Sequence, residues 1–182
     1  LEERFIKLSE PGDFLEVNPL NQIPALFVER GKCYFDSDVI LDYLDTLHEG
    51  SPLIPALNRF ECKTAIHLAN GVIESTLLRT MELRRPECQQ SKTYVAHLEA
   101  RVMRGIDTME KKRETKIGDW LNGEEITTAV ALSYVDFRFS TEWRKTAPTL
   151  ETWFGRVSCR KSMELTAPTR ERPIAMIDKI RV

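Results

Sequence analysis

The sequence predicts an α+β chain whose second half is all α, and three observations predict it. Short apolar runs, punctuated by proline and glycine, fill the beginning of the chain. A segment holding Gly50, Pro52 and Pro55 then divides it. Beyond that segment, apolar residues recur every three or four positions over long stretches, the period of a helix with one buried face.

Taken in order, Phe5 to Leu8 is a strand candidate, followed by the turn signal Pro11-Gly12. Pro19 and Pro24 forbid a regular helix through Val17 to Pro24, because each lacks an N–H and restricts the residue before it. Ala25 to Val28 is a compact apolar strand. Glu29 to Lys32 is a polar turn around Gly31, which takes positive φ freely, and Cys33 to Phe35 is the returning strand of a β-hairpin. A helix follows, with Asp36 or Ser37 as its N-cap and Asp38 placing negative charge in the first turn. Ile40, Tyr43, Leu44 and Leu47 share one face of it.

The second half reads as four helices. The first spans about 59–85, with Ile66, Ala69, Ile73, Leu77 and Met81 on its apolar stripe, and Pro86 stops it. The second spans about 91–112, with Val95, Leu98, Val102, Ile106 and Met109 inward. A third covers about 124–143; its apolar run Ala129 to Leu132 marks a buried, central element. Asn122 with Glu125 three later has the spacing of a capping box in front of it. Pro148 suits the first turn of the fourth, which turns Leu150, Trp153, Phe154 and Val157 inward. A tail with mixed charges follows Pro168.

Lysine plus arginine number 26 and aspartate plus glutamate 28, so the net charge of −2 gives no electrostatic footprint for nucleic acid. No apolar run is long enough to cross a membrane, and the start carries no signal peptide, which predicts a cytoplasmic protein. Cys33, Cys62, Cys88 and Cys159 have no C-x-x-C spacing and no histidine near them in sequence, so no metal is expected. They read as free and mostly buried thiols. His48, His67 and His97 read as surface or satisfied core residues, and Arg79, Arg84 and Arg85 as lining a cleft, a subunit face or a solvated helix end.

The run Phe14 to Leu44, FLEVNPLNQIPALFVERGKCYFDSDVILDYL, resembles the second half of the thioredoxin-like domain of glutathione transferases. Asn-Pro, then Gln-Ile-Pro, then a hairpin, then Asp-Ser opening a helix stand in the family's order and spacing. AVALSYVDFR at 129–138 resembles the family's buried sixth helix, and Pro148-Thr149-Leu150 with Trp153 the start of the next. Residues 71–90 look similar to a bacterial subgroup. The resemblance implies an incomplete thioredoxin-like domain over 1–49, a linker at 50–57, an all-α helical-bundle domain over 58–168 and a tail at 169–182. It further implies a cis bond at Pro24, with the Ile23 backbone pairing with glutathione. Gln22 is implied to reach the ligand with its amide, Ser37 to take the γ-glutamyl carboxylate at a helix N-terminus, and Asp36 to meet the ligand's ammonium. Glutathione would serve as co-substrate, with an electrophile or a disulfide as its target and a homodimer as the assembly.

The family also places its activating Ser, Tyr or Cys just after a first strand that would precede Phe5, and a βαβ unit needs about 30 residues. No catalytic residue is therefore assigned. Ser9 and Cys33 stand at the wrong place in the motif, and the natural polypeptide is expected to be longer. A non-catalytic binding or scaffolding protein on the same fold is the alternative. Retention of Gln22, Ile23, Pro24, Asp36 and Ser37 favours the enzyme.

Overall fold

The computed structural model describes residues 6–28, 31–113, 118 and 120–168. Their order is α1 (Phe14–Val17), β1 (Ala25–Phe27), β2 (Cys33–Phe35), α2 (Ser37–Asp45), α3 (Arg59–Leu83), α4 (Lys92–Lys112), α5 (Gly123–Arg138), α6 (Pro148–Val157) and α7 (Lys161–Thr166). Short 3-10 turns lie at Glu87–Gln89 and Glu142–Lys145. The described residues divide into two units, 6–50 and 51–168. The predicted tail from 169 lies outside them.

In the first unit, β1 and β2 pair antiparallel in the register Ala25–Phe35, Leu26–Tyr34 and Phe27–Cys33. Val28 N–H extends the ladder to Lys32 O at 2.9 Å. Gly31 turns the chain with φ 73°, the left-handed conformation its missing side chain permits. Asp36 caps α2, and the helix turns Ile40 inward. Phe14, Ala25, Leu26 and Ile40 are the buried apolar residues of this unit. One predicted element is corrected. Ile6 to Leu8 form no strand, because the chain bends there into a turn closed by Glu10 N–H on Lys7 O at 2.7 Å. Phe5 lies outside the described residues.

In the second unit, α3 packs along both α4 and α5, and α6 closes against α4 and α5. The core between them includes Ala69, Val72, Val102, Ile106, Leu132, Val135, Leu150, Trp153 and Val157, each nearly free of solvent contact. Burying a side chain of the Val, Leu or Ile class this fully contributes about 1.5–3 kcal/mol. Gly105 lets α3 and α4 close up, since a Cβ there would overlap Val72 Cγ2.

Side chains satisfy the N-termini of α4, α5 and α6. Ser91 Oγ accepts from Tyr94 N–H at 3.2 Å. Asn122 and Glu125 form the predicted capping box, each side chain accepting from the other's backbone N–H at 3.0 Å. α6 is capped from a distance. Ala147 stands at its N-cap with no capping side chain, and Pro148 has no N–H. Thr149 N–H and Leu150 N–H donate instead to the two carboxylate oxygens of Glu110 on α4, at 3.0 and 2.7 Å. Burial alone would raise the Glu110 carboxyl, but the hydrogen bonds from Leu150 and Thr149 outweigh it and hold the group below its ordinary value.

Three further readings are corrected. α5 ends at Arg138 rather than Trp143. Phe139 leaves helical geometry, and Ser140 Oγ accepts from Glu142 N–H at 3.0 Å, which starts the 3-10 turn. That turn is clamped by Asp136, which takes Arg144 on both oxygens at 2.6 Å and Trp143 Nε1 at 2.8 Å. Val130 is exposed, as are Leu77 and Met81 of α3. The buried side of α3 runs instead through Ser75 and Thr76, whose hydroxyls bond back to Gly71 O and Val72 O at 2.6 and 2.8 Å. Of the cysteines only Cys62 is buried; Cys33 is half-buried and Cys88 and Cys159 are exposed, so "mostly buried" does not hold.

Candidate functional site

The strand register decides where the candidate residues lie. Ala25 pairs with Phe35, so Gln22, Ile23 and Pro24 enter the hairpin at the end where Asp36 and Ser37 leave it. Two segments separated in sequence thus meet at one end of the sheet. Cys33 pairs with Phe27 at the opposite, Gly31 end, and Ser9 sits in the exposed turn before α1. Neither residue joins the group.

The Ile23–Pro24 bond is cis, as the resemblance implied. Gln22 and Pro24 are exposed and Ile23 is half-buried. The loop leading to them is held by Asn18, which is 1% exposed. Its Nδ2 donates to Gln22 O at 2.6 Å and its Oδ1 accepts from Leu20 N–H at 3.1 Å. Its backbone O accepts from Asn21 N–H at 3.0 Å, closing a turn over Pro19 and Leu20. Asn21 takes φ 51°, which asparagine tolerates better than most residues, and its Nδ2 donates to Leu8 O at 2.9 Å.

On the other side, Asp36 has φ 75° and ψ 132°, an outlier for a residue with a side chain. Such a conformation costs about 1–3 kcal/mol and is found disproportionately at functional sites. The Asp36 carboxylate accepts from Asp38 N–H at 2.9 Å, and its backbone O takes the first helical bond from Ile40 N–H at 3.0 Å. Asp36 is therefore the N-cap, and Ser37 is the first residue of the helix. Both are exposed. Ser37 brings a hydroxyl and a first-turn N–H that has no acceptor within the helix. Together they offer donors and a helix dipole to an anion, beside a carboxylate suited to a cation.

The sequence alone does not mark Asn18 as a site residue. Its Asn-Pro dipeptide was visible, but nothing in the pattern shows that the carboxamide is buried and reaches two and four residues ahead. Among the described residues no group of three or more His, Cys, Asp or Glu is arranged to hold a metal ion. No described helix is long and apolar enough to cross a membrane.

Residues 2–47 match the family model of the glutathione S-transferase N-terminal domain. The chain is 28% identical over 160 residues to the uncharacterized GST-like protein YibF of Escherichia coli (strain K12), covering 85% of this chain and 79% of that one. Among solved structures it resembles a glutathione transferase family member from Pseudomonas fluorescens Pf-5, with bound glutathione. The identity is 34% and the TM-score 0.81, over 86% of this chain and 78% of the other. A glutathione S-transferase from Methylobacillus flagellatus KT with GSH bound gives 27% identity and a TM-score of 0.82, over 90% and 85%.

Proposed function

The chain belongs to the glutathione transferase family, and on that premise we propose that it binds glutathione at the hairpin end carrying Gln22, Ile23, Pro24, Asp36 and Ser37. The observation that carries this reading is the register that brings Gln22–Pro24 and Asp36–Ser37 to one end of the sheet, with a strained acidic N-cap beside an exposed serine. The Ile23 peptide pairs strand-like with the cysteinyl part of the ligand, a backbone form of peptide recognition. Ser37 donates its hydroxyl and N–H to the γ-glutamyl carboxylate, where the α2 dipole favours negative charge. The Asp36 carboxylate takes the ammonium through a charge-assisted hydrogen bond. The Gln22 amide supplies a further polar contact.

Bound glutathione supplies a thiolate nucleophile for an electrophile or a disulfide. The chain's own residues hold both ends of its γ-glutamyl group and fix the direction of the peptide. No described residue is assigned to thiol activation. A homodimer and a cytoplasmic address belong to the same proposal.

Calorimetric titration of glutathione into the protein tests it. Ser37→Ala removes one charge-assisted hydrogen bond, worth about 1.5–3 kcal/mol, and should weaken binding about tenfold or more. Absence of binding by the folded wild type, or equal binding by Ser37→Ala, would sink the assignment.

A further inference from the structure

We infer that Asn18 is a positioning residue for glutathione, acting through the backbone of Gln22 and Ile23. The inference rests on the proposed binding site and assigns part of its geometry to a side chain outside it.

Asn18 is buried, and a buried carboxamide is costly unless its donor and acceptor are both used. Here each is used once, and each on the same loop. The Nδ2 group faces Gln22 O and the Oδ1 atom faces Leu20 N–H. The reverse orientation would set donor against donor and acceptor against acceptor, so the network fixes the amide. Asn18 is itself fixed by its N–H on Phe14 O at 2.9 Å, at the end of α1. The carboxamide thus ties the Gln22 carbonyl to a helix end and sets the direction of the peptide that follows, the one joining Gln22 to Ile23. Gln22 and Pro24 are exposed and Ile23 is half-buried, so packing holds this segment only in part. The hydrogen bond from Asn18 Nδ2 acts directly on the Gln22 carbonyl, beside the anchor that Asn21 Nδ2 makes on Leu8 O.

Asn18→Asp changes the donor into an acceptor without changing shape. The carboxylate still accepts from Leu20 N–H but opposes the Gln22 carbonyl. The variant, shown folded by circular dichroism, should bind glutathione about tenfold or more weakly at neutral pH. Burial against a carbonyl raises the pKa of the introduced carboxyl. Lowering the pH toward about 5 should therefore restore a donor and narrow the gap to wild type measured at the same pH. A purely structural role would move the melting temperature but not this ratio in a folded sample. Equal affinities of the folded variant and wild type at both pH values would overturn the inference. A folded wild type that does not bind glutathione would fail the site assignment itself.

Should Asn18→Asp not fold, Asn18→Ser is measured in its place, with the same tenfold loss expected from a hydroxyl too short to reach both partners. If that also fails to fold, hydrogen exchange of the wild type decides. The Leu20 N–H must be protected, although the residue is 63% exposed, and glutathione must protect it further. A freely exchanging Leu20 N–H, or no added protection, overturns the inference.

Discussion

Glu110 offers a sharp test of how the helical unit is held together. The N-terminus of α6 has few donors to satisfy, and their partners are all identified. Ala147 N–H bonds to Trp143 O at 3.0 Å, Pro148 has no N–H, and Thr149 and Leu150 donate to Glu110. Glu151 N–H begins the regular ladder on Ala147 O at 2.9 Å. Removing the carboxylate leaves both middle donors without their acceptor. A lost N-cap costs about 0.5–2 kcal/mol, and the charge on a helix N-terminus adds a further contribution of about 0.3–1 kcal/mol. Glu110→Ala should therefore cost about 2 kcal/mol, and Glu110→Gln, which keeps one acceptor oxygen, about 1 kcal/mol. For a chain of this length each kcal/mol lowers the melting temperature by roughly 2–4 °C.

The pH dependence has a definite sign. The Glu110 carboxyl is held below its ordinary value in the folded chain. Its contribution is complete above the unfolded value and is lost as pH falls through the folded one. Glutamine has no proton to gain. The advantage of wild type over Glu110→Gln, followed by scanning calorimetry from about pH 7 to about pH 3, should shrink toward acid. Equal melting temperatures at neutral pH, or a gap that widens on acidification, would refute the capping account.

Two further outcomes follow from the packing. Gly105→Ala places a methyl against Val72 Cγ2 between α3 and α4. It should destabilise the chain by about 1–3 kcal/mol, read from a shifted urea midpoint; an unchanged midpoint would show that the helices give way freely. Cys62 is 1% exposed, and its thiol is pushed up first by burial and further by the Glu124 and Glu125 carboxylates, against one hydrogen bond from Glu124. Mass-mapped alkylation of the native protein should mark Cys88 and Cys159 and reach Cys62 only after unfolding; native labelling of Cys62 at the rate of Cys88 would contradict this.

What the sequence made legible was local. The hairpin follows from two short apolar runs around Gly31, and the cap of α5 from Asn122 and Glu125 at three-residue spacing. Leu98, Val102, Ile106 and Met109 of α4 face inward as their period requires. The features that escaped notice are polar groups with distant or hidden partners. Glu110 acts 39 and 40 residues away, a separation no periodicity encodes. Asp136 carries no signal of its own in the sequence, because its partners Trp143 and Arg144 lie seven and eight residues on, in the turn beyond the helix end. Ser75 and Thr76 break the apolar stripe of α3, which drew the sequence reading onto Leu77 and Met81 instead. The candidate site was readable because the motif is contiguous on each side of the hairpin, whereas the burial of Asn18 appears only once the loop is folded.

The distribution of indoles gives the molecule a built-in optical division. All three tryptophans, Trp120, Trp143 and Trp153, belong to the helical unit, while the first unit carries Tyr34 and Tyr43, 4.8 Å apart between ring centres. The indoles differ in surroundings. Trp120 is 47% exposed, Trp143 is buried with its N–H on Asp136, and Trp153 is buried beneath the Arg113 guanidinium, 4.4 Å from the ring centre. Excitation at the red edge therefore watches one unit alone, through one water-exposed and two enclosed emitters. The other unit is seen only in tyrosine emission and in the ultraviolet backbone signal.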